Sequence, residues 1–165
     1  MSKTGIFYGS TTGNTEAAAG QMAELIDADV YDVAESPADK LEQYENLILG
    51  ASTWGIGDLQ DDWEDFIKEL EKADLNGKTV AIFGFGDAAG YEDSFVDGIG
   101  IIYNAIKEKG CKVVGFMSTN GYEYDSSVAE SDGQFVGLPL DEENQGDLTD
   151  QRVKNWIEQI KPEFS

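Results

Sequence analysis

A chain of 165 residues, 41% hydrophobic and 11% aromatic, can bury one core without disulfides or metals, and a single domain over residues 1–165 is the expectation. Its 33 acidic residues against 11 basic ones leave a net charge of -22, a field that repels nucleic acid and anionic membranes, both of which are held mainly through Lys and Arg. No histidine and one cysteine, Cys111, exclude disulfide frameworks, Cys/His zinc sites, histidine triads and imidazole proton shuttles.

The same field attracts proteins with basic faces and speeds encounter with them; plain solubility is the competing reading. No apolar stretch approaches membrane-spanning length, and the chain enters an apolar strand by Ile6 without a basic leader, so a cytoplasmic location is expected.

In chain order, short apolar runs alternate with segments of helical period. The runs are "TGIFYG", a weak "DVYDV", "NLILGA", "TVAIFG" and "CKVVGFM". Between or after them come one-sided apolar faces: Ala18, Met22, Leu25 and Ile26; Trp63, Phe66, Ile67 and Leu70; Phe95, Ile99, Ile102 and Ile106; Val153, Trp156, Ile157 and Ile160. Nearly continuous apolar strands joined by helices predict a doubly wound α/β sandwich, its parallel sheet covered on both faces. Leu41 to Gln43 lacks a clear amphipathic pattern and predicts at most a brief helix or turn. After "CKVVGFM", the polar "STNGYEYDSSVAESDG" has no helical period and precedes a strand-like "QFVGLPL", which reads as an insertion interrupting the last strand.

In such a sheet ligands sit at the carboxyl ends of the strands, where the strand order reverses. The loop after the first run, "GSTTGNTEAAAG", offers Ser10, Thr11, Thr12, Asn14 and Thr15, with Gly13 free to turn backbone N–H groups outward. With the helix behind it, this loop can hold a phosphate by neutral donors alone. Helix capping is the alternative for some of these residues. Asn14 stands where a nucleoside-triphosphate loop needs Lys, the glycine spacing is not that of a dinucleotide site, and Ala51, Ser52 and Thr53 leave no receiver aspartate. A small, terminal phosphate monoester remains. Two further loops, "STWGIGDLQDDW" and "GFGDAAGYEDSF", each carry one aromatic, Trp54 and Tyr91, away from any periodic face. Together they could sandwich a flat ring; core filling is the competing fate.

These three loops, in this order, resemble those of the long-chain flavodoxins, small electron carriers that hold flavin mononucleotide (FMN), and the similarity covers essentially the whole chain. The resemblance implies a five-stranded parallel sheet of order 2-1-3-4-5 with helices on both faces. It implies that Ser10, Thr11, Thr12, Gly13, Asn14 and Thr15 bind the phosphate. Ser52, Thr53, Trp54, Gly55 and Ile56 would line one side of the ring, and Gly84, Phe85, Gly86, Asp87, Tyr91 and Ser94 the other. Three positions depart from the common pattern: Ser52 for a frequent Pro, Ala88 for Gln, and Ser94 for Asn. Glu143 occupies a place where some relatives put a carboxylate near the ring edge, or is a solvated loop residue.

The implied function is low-potential one-electron transfer between semiquinone and hydroquinone, with no catalytic residue and no metal. An FMN-dependent NAD(P)H:quinone reductase is the alternative on the same sheet. The peptide joining Gly55 to Ile56 is the one that relatives flip toward the ring; glycine makes this cheaper by roughly 1 to 2 kcal/mol, or roughly 45 to 90 mV for one electron. Asp58 and Asp87 would oppose the anionic reduced ring, a carboxylate at about 10 Å costing on the order of 0.8 kcal/mol at an effective ε of about 40. Asp61, Asp62, Glu64, Asp65, Glu69, Glu92 and Asp93 form either an ordinary solvated face or a docking surface for basic redox proteins, a flavodoxin reductase and low-potential acceptors among them. The carrier is expected to act as a monomer. Cys111, at a strand start, is expected in the core.

Overall fold

The computed structural model describes residues 3–9, 13–35, 38–54, 58–59, 61–90 and 93–164, with the backbone alone at 38, 54, 58, 59 and 61. The first half runs β1 (Thr4–Tyr8), α1 (Asn14–Ile26), β2 (Asp29–Asp32), a 3-10 helix (Ala38–Gln43), β3 (Asn46–Trp54), β4 (Asp58–Leu59) and α2 (Asp61–Lys72). It continues with β5 (Thr79–Phe85), α3 (Asp97–Ile106), β6 (Lys112–Val114), β7 (Met117–Ser118), β8 (Glu130–Ser131), β9 (Gln134–Phe135), β10 (Leu138–Leu140), α4 (Glu142–Gln145) and α5 (Thr149–Ile160). The weak stretch at Leu41 is the 3-10 helix, as its missing period allows.

The main sheet is parallel in the order β2-β1-β3-β5, and both β6 and β10 lie along the outer edge of β5. Ile6 stands beside Val30 on one side and Ile48 on the other, and Ile48 beside Ala81. Thr79–Ala81 takes β6 and Phe83–Phe85 takes β10, so two short strands share the fifth position, with residues 115–137 between them. Order 2-1-3-4-5 follows. The order in which strands are added reverses between β1 and β3, which fixes where loops can diverge to admit a ligand.

Period-two alternation sends successive strand residues into two separate cores. Phe7, Leu47, Leu49, Val80 and Ile82 face Trp63, Phe66 and Leu70 of α2 and Ile99, Ile102 and Ile106 of α3. Ile6, Ile48, Ala81, Phe83 and Leu138 face Ala18, Ala19 and Met22 of α1 and Val153, Trp156, Ile157 and Ile160 of α5.

Three expectations need correction. "CKVVGFM" is not one strand: Gly115, with φ 84, breaks it, because a Cβ there would lie 2.6 Å from the Trp156 Nε1. "QFVGLPL" also splits, β9 pairing antiparallel with β7 and β8 in a small second sheet while β10 joins the main one. Phe95 is not on the α3 face. Val96 takes the left-handed conformation, φ 47 and ψ 34, so the helix begins at Asp97, and Phe95 packs instead against Tyr122, Tyr124 and Phe135 at 5.7, 5.5 and 6.0 Å between ring centroids.

Candidate functional site

Among the predicted site residues, Ser10, Thr11, Thr12, Gly55, Ile56 and Tyr91 and the side chain of Trp54 lie outside the described residues. The others gather at the carboxyl ends of β1, β3 and β5. Gly13 is the N-cap of α1 in the left-handed region, φ 93 and ψ -8, and no side chain caps the helix there. A Cβ on Gly13 would meet nothing within 4 Å. The first N–H groups of α1 and its dipole are the donors an anion takes.

Capping does not account for Thr15, which is fully buried and shares a 2.8 Å hydrogen bond with the Ser52 hydroxyl. The first loop is thereby bolted to the end of β3. Ser52, the departure from a frequent proline, supplies this partner. The bolt is doubled at Gly50, whose carbonyl accepts the Gly9 N–H at 3.0 Å and the indole N–H of Trp63 at 2.7 Å.

Thr53 points its hydroxyl at the start of α3, accepting the Gly98 N–H at 2.7 Å. Its predicted place at the ring side therefore coexists with a bond that ties β3 to α3. Gly84 and Gly86 leave no room for a side chain: a Cβ would sit 2.6 Å from the Ala51 carbonyl oxygen in the first case and 2.9 Å from the Val96 nitrogen in the second. Close backbone packing is thus one reason for both glycines. Phe85 and Ser94 are buried, and the Ser94 carbonyl accepts the Asp97 N–H at 3.2 Å.

Asp87 stands at the mouth of this loop. Its Oδ1 accepts the Gly90 N–H and the Asn144 side-chain amide, each at 2.8 Å. Those hydrogen bonds favour the charged form and hold its carboxyl below the usual aspartate range, against a smaller opposing effect of burial. Asn144 also donates to Asp141 Oδ2 at 2.9 Å, and the same oxygen accepts the Ala88 N–H at 3.1 Å. Asp141 is 1% exposed.

Sequence reasoning missed Asp141 and Asn144, which join the loop after β5 to α4. The signal was present, since Asp141 caps α4 by accepting the Asn144 N–H, the ordinary preference at a helix start. Glu143 is exposed on α4. Beside this network a cleft of about 640 Å3 opens, lined by Ala88, Ala89, Tyr124, Asn144, Glu123 and Asp125.

Glu64, Asp65 and Glu69 are exposed on the outer face of α2, as is Asp93 before α3; Asp62 is half-buried, and Glu92 lies outside the described residues. Cys111 is half-buried, its thiol pushed up by burial, and it donates to the Ile106 carbonyl at 3.4 Å. Among the described residues no group of three or more His, Cys, Asp or Glu could hold a metal, and no helix is long and apolar enough to cross a membrane.

The family model for Flavodoxin matches residues 6–156. The chain belongs to the flavodoxin family. A flavodoxin of Nostoc sp. is 48% identical over 165 residues, covering 98% of this chain and 97% of that one. Helicobacter pylori flavodoxin is 45% identical over 166 residues, with 100% of both covered. Among solved structures, Fusobacterium nucleatum flavodoxin bound to flavin mononucleotide superposes with a TM-score of 0.93 at 37% identity, covering 98% of each chain. Flavodoxins are electron-transfer proteins and not enzymes, so the quinone-reductase alternative falls away.

Proposed function

We propose that this flavodoxin holds FMN non-covalently and carries one electron at low potential, cycling its cofactor between the one-electron-reduced and fully reduced forms. The carrying observation is the convergence, at the switch point of the sheet, of a helix N-terminus with glycine at its N-cap and the loops after β3 and β5, in a chain that superposes on a relative crystallised with FMN. The residues present fit that cofactor: the N–H groups and dipole at the start of α1 suit a phosphate without Lys or Arg.

In this reading Ser10 to Thr15 bind the phosphate. Ser52 to Ile56 flank one side of the ring; Gly84 to Asp87, Tyr91 and Ser94 flank the other, with Trp54 and Tyr91 excluding water from its faces. Bound FMN supplies the one-electron chemistry, and the chain supplies orientation and field. Gly55 keeps a turn of its peptide toward the ring cheap. Asp87, held ionised by Gly90 and Asn144, opposes further negative charge nearby and lowers the potential of the last electron. In this reading residues 118–133 are the family's long-chain insertion.

The exposed carboxylates of α2 and a net charge of -22 suit a monomeric cytoplasmic carrier that docks to basic-faced proteins, a reductase and low-potential acceptors. Two measurements test the reading. Purified protein given excess FMN should quench its fluorescence, and an anaerobic titration should resolve two separate one-electron steps; unchanged fluorescence sinks it. Reduction by a basic reductase should slow steeply between low and high salt, and a salt-insensitive rate would remove the docking role.

A further inference from the structure

The start of α3 touches the candidate site on two sides. Gly98 donates to Thr53 on the β3 side, and Val96 lies against Gly86 on the β5 side. Val96 is fully buried and β-branched, yet holds a left-handed backbone. Such a conformation costs on the order of 1–3 kcal/mol and persists only where surrounding contacts over-determine it.

Those contacts come from the 115–137 segment. Ser126 donates its hydroxyl to the Asp93 carbonyl at 2.8 Å, and Ser127 donates to the Phe95 carbonyl. The Val128 N–H donates to Asp97 Oδ1 at 2.8 Å. Gly100 lets the segment lie directly on the helix, since a Cβ there would be 2.5 Å from the Val128 backbone. Three consecutive residues, 126 to 128, therefore seize 93, 95 and 97 in turn.

We propose that Asp97 is a positioning residue for the cofactor: by holding the Val128 N–H it clamps the 115–137 segment onto the 93–98 turn, and this keeps Ser94 and Thr53 in register on the two sides of the ring. The inference rests on the FMN reading above. It assigns residues 126–128 a role in retaining the cofactor and setting its potentials. Asp97 acts through its neighbours, without touching the ring.

The test uses full-length protein reconstituted with FMN and compares Asp97→Ala, Asp97→Asn and Ser127→Ala with the unaltered chain. Loss of the charged acceptor should weaken FMN binding about tenfold, mostly as faster release. It should also change the separation of the two midpoint potentials and the visible spectrum of the bound cofactor. Asp97→Asn keeps an acceptor oxygen for Val128 and should recover most of the affinity, and Ser127→Ala should give a smaller loss of the same kind. If Asp97→Ala does not fold, the Ser127→Ala and Asp97→Asn values decide.

A variant set that loses thermal stability as apoprotein while affinity, potentials and spectrum stay at the unaltered values overturns the inference and leaves a purely structural clamp. Coupling gives a second reading: Asp97→Ala and Thr53→Ala should be non-additive in FMN affinity, and additive losses count against it. If the unaltered protein takes up no FMN, both this inference and the functional reading fall; if it does and every variant matches it, only this inference falls.

Discussion

Each face of the sheet buries one tryptophan completely, and each indole N–H ends on a glycine carbonyl. Trp63 of α2 donates to Gly50 at 2.7 Å, and Trp156 of α5 donates to Gly115 at 2.8 Å. The chemistry is the same, but the consequences differ. Gly50 lies in β3 and its carbonyl also takes the Gly9 N–H at the head of the proposed phosphate loop, whereas Gly115 lies beyond β6, on the side of the segment that leads away. The Trp63 indole is thus wired to a proposed cofactor loop, while the Trp156 indole anchors the outer strands. The lesson is that equal burial does not mean equal functional weight: what matters is which carbonyl the buried donor satisfies.

The strongest way to break that contrast is Trp63→Ala. It removes a fully buried ring in edge-to-face contact with Phe66, 5.3 Å between centroids, and orphans half of the Gly50 bonding. We expect a loss of about 3–5 kcal/mol in urea unfolding of the apoprotein, together with weaker FMN retention. Trp63→Phe should keep most of the volume and show the cofactor effect at smaller cost. If FMN affinity is unchanged in Trp63→Phe, the wiring through Gly50 carries no functional weight.

Gly50→Ala attacks the same point from the other layer. A Cβ there would lie 2.1 Å from the Phe83 ring, and Phe83 is fully buried against Trp156. Overpacking of this kind costs about 1–3 kcal/mol, more where the neighbour cannot retreat. Both stability and FMN binding should fall, because the push enters the α1/α5 core while the carbonyl belongs to the loop system. Trp156→Phe sharpens the contrast. It leaves the Gly115 carbonyl without its indole partner, for a loss of about 1–3 kcal/mol, and FMN affinity should stay at its unaltered value.

Much of this was legible in the sequence, and the reason is periodicity. The faces Trp63–Leu70 and Val153–Ile160 alternate on a helical repeat and appear as α2 and α5 with the same residues inward. Residues 118–133 were legible only as a polar interruption. Their order comes from Ser126, Ser127 and Asp97 side chains finding distant backbone, and from Phe95 packing on Tyr122 and Phe135 across 27 and 40 positions of sequence, which no local period encodes. The same holds for Asp87 and Asn144, joined across 57 positions. Glycine was read as freedom to turn at Gly13 and Gly55, whereas at Gly84 and Gly86 the demand is room, set by Ala51 and Val96.

Two carboxylates of the loop system should titrate with opposite sign. Hydrogen bonds from Gly90 and Asn144 depress Asp87, so its contribution to stability is present above the ordinary aspartate pKa of about 3.9 and is lost as pH falls through its lower folded value. Burial raises Asp97, against the bond from Val128. Its contribution is present below about 3.9 and is lost as pH rises through the higher folded value. Unfolding followed from pH 2 to 7 should show Asp87→Asn losing ground to the parent as pH rises, and Asp97→Asn gaining ground. Parallel pH profiles for both variants would mean that neither local environment survives in solution.

The smallest effect belongs to the fifth strand. Lys112 in β6 pairs with Glu163 at 2.6 Å, with side chains 65% and 46% exposed. Pairs this open to water contribute about 0–1 kcal/mol and fade with salt. The strand is tied independently by the Lys112 N–H to the Lys78 carbonyl at 2.8 Å. Lys112→Ala should therefore shift the urea midpoint little at low salt and not at all at high salt, and FMN affinity should not move. A loss rivalling Trp156→Phe would mean that exposed charge, and not the buried α5 layer, holds the outer edge of the sheet, and the division between the two layers would have to be redrawn.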